Sequence, residues 1–341
     1  MESGDGGAGE GPLLGRAKRA GAEVRPISLR GYSAGRKTAR DAGCFALDQP
    51  ALAWRLRREL GRDGADLVYV NGPRVLAASV LAARGRAPVL FHCHSRLSGI
   101  AVAVAGAALR ASGARVIACS RHSGEPLTGY ARPGAMEVIY NGVSAGRGGK
   151  ERRKKGPLRI GMVGRISPEK GQLDFVDAVR DLGHAAARAE FVLCGDVLFG
   201  DRAAIRYEEQ VQRRAVGVQF LGWREDVRAV LRSLDLLVAP SNAAEAGTRV
   251  IPEAFAEGTP VLAYRSGGIP EIIGEGGEGV MVDPDRRALA EAMRGFLNCP
   301  AAERARMRTA ALRAWEQRFR LERWREEVLE VAARAAGSLL S

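Results

Sequence analysis

Aromatic side chains are scarce: Phe, Trp and Tyr make up 6% of the 341 residues, and there are only four histidines. A core without aromatic bulk must be assembled from Ala, Val, Leu and Ile, and the hydrophobic content of 46% allows that. Cysteine is equally thin. The five cysteines, at 44, 93, 119, 194 and 299, are odd in number and far apart. This excludes a disulfide framework or a CxxC zinc site and suits a reducing compartment. Long apolar runs are lacking too. The longest, Gly99–Leu109, falls well short of the roughly 20 residues a membrane-spanning helix needs. The opening stretch, MESGDGGAGEGP, is acidic and glycine-rich, unlike a secretory signal. A cytoplasmic location is expected, with peripheral attachment to the inner face of the membrane as a possible extension.

The length is about twice that of a common domain, so two domains are expected. Charge divides them. Met1–Lys155 carries 26 Lys and Arg against 12 Asp and Glu, a net of +14, whereas the remainder carries 26 against 27. All of the +13 excess therefore lies in the first half. Such an excess points to an anionic partner, whether a phosphorylated acceptor, an acidic membrane surface or nucleic acid. It is equally consistent with arginine-rich solvated faces and no partner at all.

Short apolar runs alternate with helical patterns along the first half. The strand-like runs are Glu23–Leu29, Ala65–Val70, Ala87–His92, Arg115–Cys119 and Met136–Tyr140, with helical stretches at Pro50–Leu60 and Val75–Ala83. This order predicts βαβ units and a parallel sheet. Ser144–Pro157, SAGRGGKERRKKGP, has no apolar period and reads as a linker. The second half repeats the pattern. Its strands are expected at Leu158–Val163, Glu190–Cys194, Val218–Leu221, Leu234–Ala239, Pro260–Ala263 and Gly279–Val282, and its helices at Leu173–Leu182, Asp226–Arg232 and Val250–Ala256. From Arg304 to Ala335, Leu312, Trp315, Phe319, Trp324, Val328 and Val331 recur near helical spacing, predicting a long amphipathic helical tail. The expected division is 1–155, 156–320 and a terminal helix over 321–341.

Three loops follow strands of the second half. In IGMVGRISPEKGQLDFV, Ile160–Val176, the strand ends at Gly164-Arg165 and Lys170-Gly171 opens a helix. Ligands of open α/β sheets bind at the carboxyl ends of strands, helix starts attract anions, and two long cations there would suit a diphosphate. A merely polar β–α turn would look the same. In VAPSNAAEAGTRVIPEAFAEGTPVLA, Val238–Ala263, Glu245 and Glu253 stand eight residues apart. Gly247 and Pro252 make one helix through both untenable, so Glu245 belongs to the loop and Glu253 to the early helix. The third loop, RSGGIPE, Arg265–Glu271, brings another pair of glycines to the same edge.

These segments resemble the retaining glycosyltransferases of family 4. The likeness is carried by GRISPEKG (Gly164–Gly171), FLGWREDV (Phe220–Val227), PSNAAEAGTRVIPEAFAEGTPVLA (Pro240–Ala263) and GGIPEI (Gly267–Ile272), and more weakly by VLFHCHSRLSG (Val89–Gly99), VIACS (Val116–Ser120) and VIYNGV (Val138–Val143). The resemblance implies an α/β chain of two Rossmann-like, doubly wound parallel-sheet domains facing across a cleft, the GT-B fold. It implies transfer of a sugar from a nucleoside-diphosphate donor to an acceptor, with retention at the anomeric carbon. A lipid or a cell-envelope polysaccharide precursor would be the acceptor, anionic or membrane-associated. Arg165 and Lys170 would hold the donor diphosphate and no metal would be needed. Glu253 would bind the ribose, Glu245 the donor sugar, and the backbone at Gly247-Thr248 would approach both. Gly164, Gly267 and Gly268 would complete the donor site, and His94, with His92 as the alternative, would reach the sugar from the first domain.

Two DxD- and GxGxxG-like strings are set aside. Asp283-Pro284-Asp285 follows a strand and reads as a turn, and Gly274–Gly279 precedes a strand where a dinucleotide loop would follow one. The family pattern is broken in two places. Only Met1–Asp5 precede the glycine pair Gly6-Gly7, where the resemblance implies a strand central to the first sheet; a start lying upstream, a rearranged first domain or a truncated copy would each account for this. Ala246-Gly247-Thr248 replaces a Gly–aromatic–Gly run. A catalytically impaired nucleotide-sugar-binding protein and a nucleotide-sugar epimerase on the same fold are therefore the competing readings. Nucleic-acid binding, which would weaken steeply with salt, is not expected.

Overall fold

The computed structural model describes residues 12–27, 29, 39–146, 156–197, 202–242 and 245–337. They divide into two units, Met1–Ala51 and Leu52–Ser341. In the first unit, helix α1 covers Pro12–Arg19 and α2 begins at Ala39, ending at Asp63 in the second. The strand expected at Glu23–Leu29 is not formed: residues 22–27 and 29 carry no regular structure. Pro26 sits inside that run without an N–H to give a ladder, and Glu23 and Arg25 are exposed and pair with each other at 2.6 Å. Gly6-Gly7 lies outside the described residues, as do residues 147–155 of the expected linker.

Two parallel sheets lie in the second unit. The first holds β1 (Val68–Asn71), β2 (Val89–Cys93), β3 (Arg115–Ala118) and β4 (Met136–Val138), paired in chain order. Helices α3 (Leu76–Ala83) and α4 (Ile100–Ser112) cover one face, and the short α5 (Arg121–Gly124) follows β3. All five residues of β2 are buried, as expected for a parallel strand covered on both faces. No strand precedes Val68 among the described residues, so β1 is an edge.

The second sheet has six strands in the order β10-β9-β8-β5-β6-β7. They are β5 (Leu158–Val163), β6 (Ala189–Cys194), β7 (Val218–Gly222), β8 (Leu236–Ala239), β9 (Val261–Tyr264) and β10 (Gly279–Val282). Helix α6 (Gln172–Asp181) follows β5. It packs Phe175, Val176 and Val179 with Leu289, Met293 and Phe296 of α11 (Arg286–Asn298) on one face. On the other face, α8 (Val227–Ser233) and α9 (Val250–Ala256) contribute Leu231, Ile251 and Phe255. Helices α7 (Arg202–Arg214) and α11 are additions to the sequence reading. The α7 stripe is narrow, only Ala204, Tyr207 and Val211 being buried, whereas α11 buries Leu289, Ala290, Met293, Phe296 and Leu297 on a full helical face. Asp285 of the DxD-like string caps α11 by accepting from the Ala288 N–H at 2.9 Å.

The tail is not one long helix. Helix α12 (Ala301–Ala314) passes through a π-turn at Trp315–Phe319, Arg320 is extended, and α13 (Leu321–Gly337) restarts the helix. The break serves pairing. The Val143 N–H donates to Phe319 O at 2.8 Å, and Val143 O accepts from Leu321 N–H at 3.0 Å and from Trp315 Nε1 at 3.1 Å. Val331 of α13 then packs on Leu90, Ile117 and Ile139 of the first lobe. No described helix is long and apolar enough to cross a membrane.

Candidate active site between the two lobes

Chain order reverses between β5 and β8, which are neighbours in the second sheet. Loops leaving adjacent strands at such a point diverge, opening a crevice at their carboxyl ends. The loops in question are Gly164–Gly171 and Pro240–Thr248. At their bases the two still touch: Gly171 has φ 80°, and a Cβ there would collide with the Pro240 carbonyl oxygen. Asn242 N–H donates to Glu169 O at 3.0 Å.

Both cations of the first loop are engaged by carboxylates. Arg165 donates to Glu169, and Lys170 donates to Glu245, whose side chain is only 12% exposed. Gln172 holds the Arg165 carbonyl with Nε2 at 2.8 Å. The sequence assigns Lys170 and Glu245 to different parts of a donor; the fold joins them into one ion pair. Glu253, at the start of α9, lies 3.6 Å from Arg249. Burial raises its pKa, and Arg249 and then Arg228 oppose the rise.

The third loop supports the second. Gly268 N–H donates to Glu245 O at 3.0 Å, and a Cβ on Gly268 would strike the Ala246 carbonyl. Gly267, with φ 54°, makes the turn, and Ser266 Oγ donates to Ser241 O. Thr248 is buried.

The first lobe reaches the same loops. Ser120, after β3, donates Oγ to Ala246 O, and a Cβ on Gly247 would lie 3.2 Å from Cys119 Sγ. Glu271, in α10 (Ile269–Ile272), accepts from the N–H groups of Arg121 and His122 at 2.7 and 2.8 Å and from the Tyr140 hydroxyl at 3.2 Å. Arg318 fixes the same short helix by donating to Ile272 O at 3.0 Å.

A cleft of about 700 Å³ opens between these lobes. His94, Gly247 and Arg249 line it, together with His92, Asn141 and Trp324. His94 stacks on His92 with ring centroids 3.9 Å apart. Burial is the main cause that lowers the pKa of both, taking His92 to about 3, with His94 adding to the effect on His92 and Arg249 to that on His94. Of the expected residues, His94, its alternative His92 and Gly247 share this cleft, whereas Arg165, Lys170 and Glu245 sit on the adjoining loops and Glu253 on α9.

Comparison with known proteins gives this arrangement a lineage. The model "Glycosyltransferase Family 4" matches residues 16–147, and "Glycosyl transferases group 1" matches 157–299. The chain belongs to the family 4 glycosyltransferases. Among its relatives, the glycogen synthase of Mycobacterium tuberculosis is 32% identical over 205 residues, 58% of this chain and 49% of that one. The 2-deoxystreptamine glucosyltransferase of Streptomyces kanamyceticus is 35% identical over 162 residues, 47% of this chain and 41% of that one. The chain thus spans about half or less of the curated relatives it matches. The crystal structure of Anabaena HepE in complex with UDP is 25% identical, with a TM-score of 0.72, and covers 84% of this chain and 82% of that one. The fold is GT-B: two parallel-sheet α/β lobes flanking a cleft.

The chain also carries residues that the sequence leaves without a role. Glu271 stands in the quoted GGIPEI string, and its place one turn after two glycines was the available signal. In the sequence Trp324 is only one apolar position of a helical pattern. Arg249, between Thr248 and the α9 helix, had no sequence signal distinguishing it from a solvated arginine.

Proposed function

We propose that this chain transfers a sugar from a nucleoside-diphosphate sugar to an acceptor, with retention at the anomeric carbon. The observation that carries the reading is the meeting, at the β5/β8 reversal, of a cationic loop and a carboxylate loop opposed by His94 from the other lobe. Arg165 and Lys170 bind the diphosphate and stabilise the charge that develops on it as it departs, the electrostatic task that a metal serves in other folds. Lys170 has three N–H donors, so it can keep Glu245 while reaching a phosphate oxygen. Glu253 accepts from the ribose hydroxyls, and Glu245 orients the sugar. The backbone at Gly247-Thr248 comes close because no side chain stands at Gly247. Gly164, Gly267 and Gly268 shape the same wall. His94, held neutral, donates to or accepts from the sugar across the cleft.

Thermal unfolding with UDP, GDP, ADP and CDP in turn, beside Arg165→Ala, tests the donor site. A ligand at a hundredfold excess over its dissociation constant adds about 2.7 kcal/mol to native stability. One nucleotide is expected to raise the wild-type midpoint, and the substitution to weaken that nucleotide roughly tenfold or more. No shift with any nucleotide would sink the reading. Release of free nucleoside diphosphate from the matching nucleotide sugar then separates an enzyme from a binding protein.

A further inference from the structure

Arg249 takes no part in the donor chemistry assigned above, yet it is the one cation that lines the cleft among the described residues. It directly precedes α9, and its side chain is 65% exposed. The rest of the lining is uncharged. No described carboxylate stands in it, and burial lowers the pKa of His92 and His94, which keeps both imidazoles neutral. The carboxylate that Arg249 faces is Glu253, at 3.6 Å, well beyond the roughly 2.7–2.9 Å of a charge-assisted hydrogen bond. The two are four residues apart with Arg ahead of Glu, the weaker order for such a pair along a helix. Glu253 also has a task of its own at the ribose. Arg249 acts across the cleft as well, since after burial it is the cause that lowers the pKa of His94. The guanidinium therefore stands close to the ring that reaches the sugar, on a wall shared with Gly247.

Charge narrows the ligand. A cleft lined by one cation and neutral walls concentrates positive potential inside it. A wholly neutral sugar would strip water from the guanidinium and return no charge, a cost without compensation. An aminated sugar would be repelled. Of the anions, a phosphate dianion calls for clustered cations, and Arg165 and Lys170 stand on another loop with carboxylates of their own. A carboxylate needs only one guanidinium, whose planar fork gives it two parallel N–H···O bonds.

We propose that Arg249 is a specificity-determining residue that pairs with the carboxylate of a uronic acid ring, carried either by the donor sugar or by the acceptor. This rests on the glycosyltransferase reading. Calorimetric titrations of the full chain test it in two arms. The donor arm compares UDP-glucose with UDP-glucuronate, or GDP-mannose with GDP-mannuronate, according to the base that shifts the unfolding. An adenosine or cytidine site leaves the decision to the second arm. There the chain, saturated with its nucleotide, is titrated with the methyl glucosides and methyl glucuronides of both anomers. In one arm the carboxylated member is expected to bind about tenfold tighter than its neutral counterpart, and that arm names the sugar that bears the charge. Arg249→Gln is expected to erase the preference by weakening the carboxylated member alone, about tenfold, the loss of one charged hydrogen-bonding partner. Arg249→Lys keeps the charge without the fork and should recover only part of it. The unfolding shift given by the nucleotide alone should persist in both variants. No carboxylate preference in either arm, a preference that survives Arg249→Gln, or loss of the bare nucleotide in that variant overturns the specificity assignment alone. Absence of any nucleotide shift in the wild type overturns the donor reading with it.

Discussion

The two parallel sheets of the second unit obey one set of packing rules and offer different chemistry. In the six-stranded sheet the chain reverses direction of travel between β5 and β8. Its loops there carry Arg165, Lys170, Glu245 and a close glycine contact. In the four-stranded sheet the described strands follow one another in chain order from β1 to β4. Without a reversal no pair of diverging loops forms, and the ends of its strands present imidazoles, amides and a tyrosine instead of a cationic cradle. The two lobes therefore differ both in strand order and in the side chains their strand ends bring to the cleft.

Four substitutions would break or sharpen this contrast. The largest effect is expected at the reversal itself. Gly171→Ala places a Cβ against the Pro240 carbonyl at a φ of 80°, and should cost about 3 kcal/mol of stability by thermal or denaturant unfolding. Glu271→Ala removes three acceptor contacts that join the lobes. About 2 kcal/mol is expected, along with weaker nucleotide binding measured by calorimetry, although no nucleotide contact is assigned to Glu271.

The third tests the imidazole wall by pH. Because His92 has its pKa depressed to about 3 in the fold, the unfolded chain binds a proton near pH 6.5 that the native state refuses. Stability is then full above that pH and falls as pH drops toward 3, by about 1 kcal/mol at pH 5.5 from this group. His92→Phe should flatten that part of the stability–pH curve; an unchanged slope would refute it. The smallest effect falls at Glu253. Its raised pKa means that folding opposes its ionised form, so stability from this group is lost as pH rises past the ordinary glutamate value. Glu253→Gln should leave the apo midpoint at pH 7 unchanged or slightly higher while weakening the nucleotide, a split that calorimetry and unfolding read separately.

Much of the second lobe could be read from residues alone because its strands are continuous apolar runs bounded by glycine or proline. Leu158–Val163 and Gly279–Val282 form strands over the expected residues. The helix at Val250–Ala256 does so too, since Pro252 is tolerated only in a first turn. Pairing of β5 with β8 was not legible, as it is set by crossovers of many residues. Glu23–Leu29 misled because its apolar count hid Pro26. In the tail, helical spacing persisted through Phe319 while the backbone turned aside at Arg320 to meet Val143. Arg165, Lys170, Glu245 and Glu253 stand in local motifs that a sequence displays. The cleft wall of Tyr69, His92 and Trp324 is not legible in that way, because the three come from distant segments.

That meeting at Val143 has a mechanical consequence. The chain leaves the first lobe near Val143 and returns at Phe319–Leu321, and the two passages are bonded side by side through their backbones. A joint crossed once swivels freely; a joint crossed twice by bonded strands resists sliding and twisting, and yields most easily by folding along its own line. Opening along that line, as a book opens at its spine, would also have to break the bonds from Ser120 to Ala246 and from Arg121 and His122 to Glu271 that clasp the lobes elsewhere.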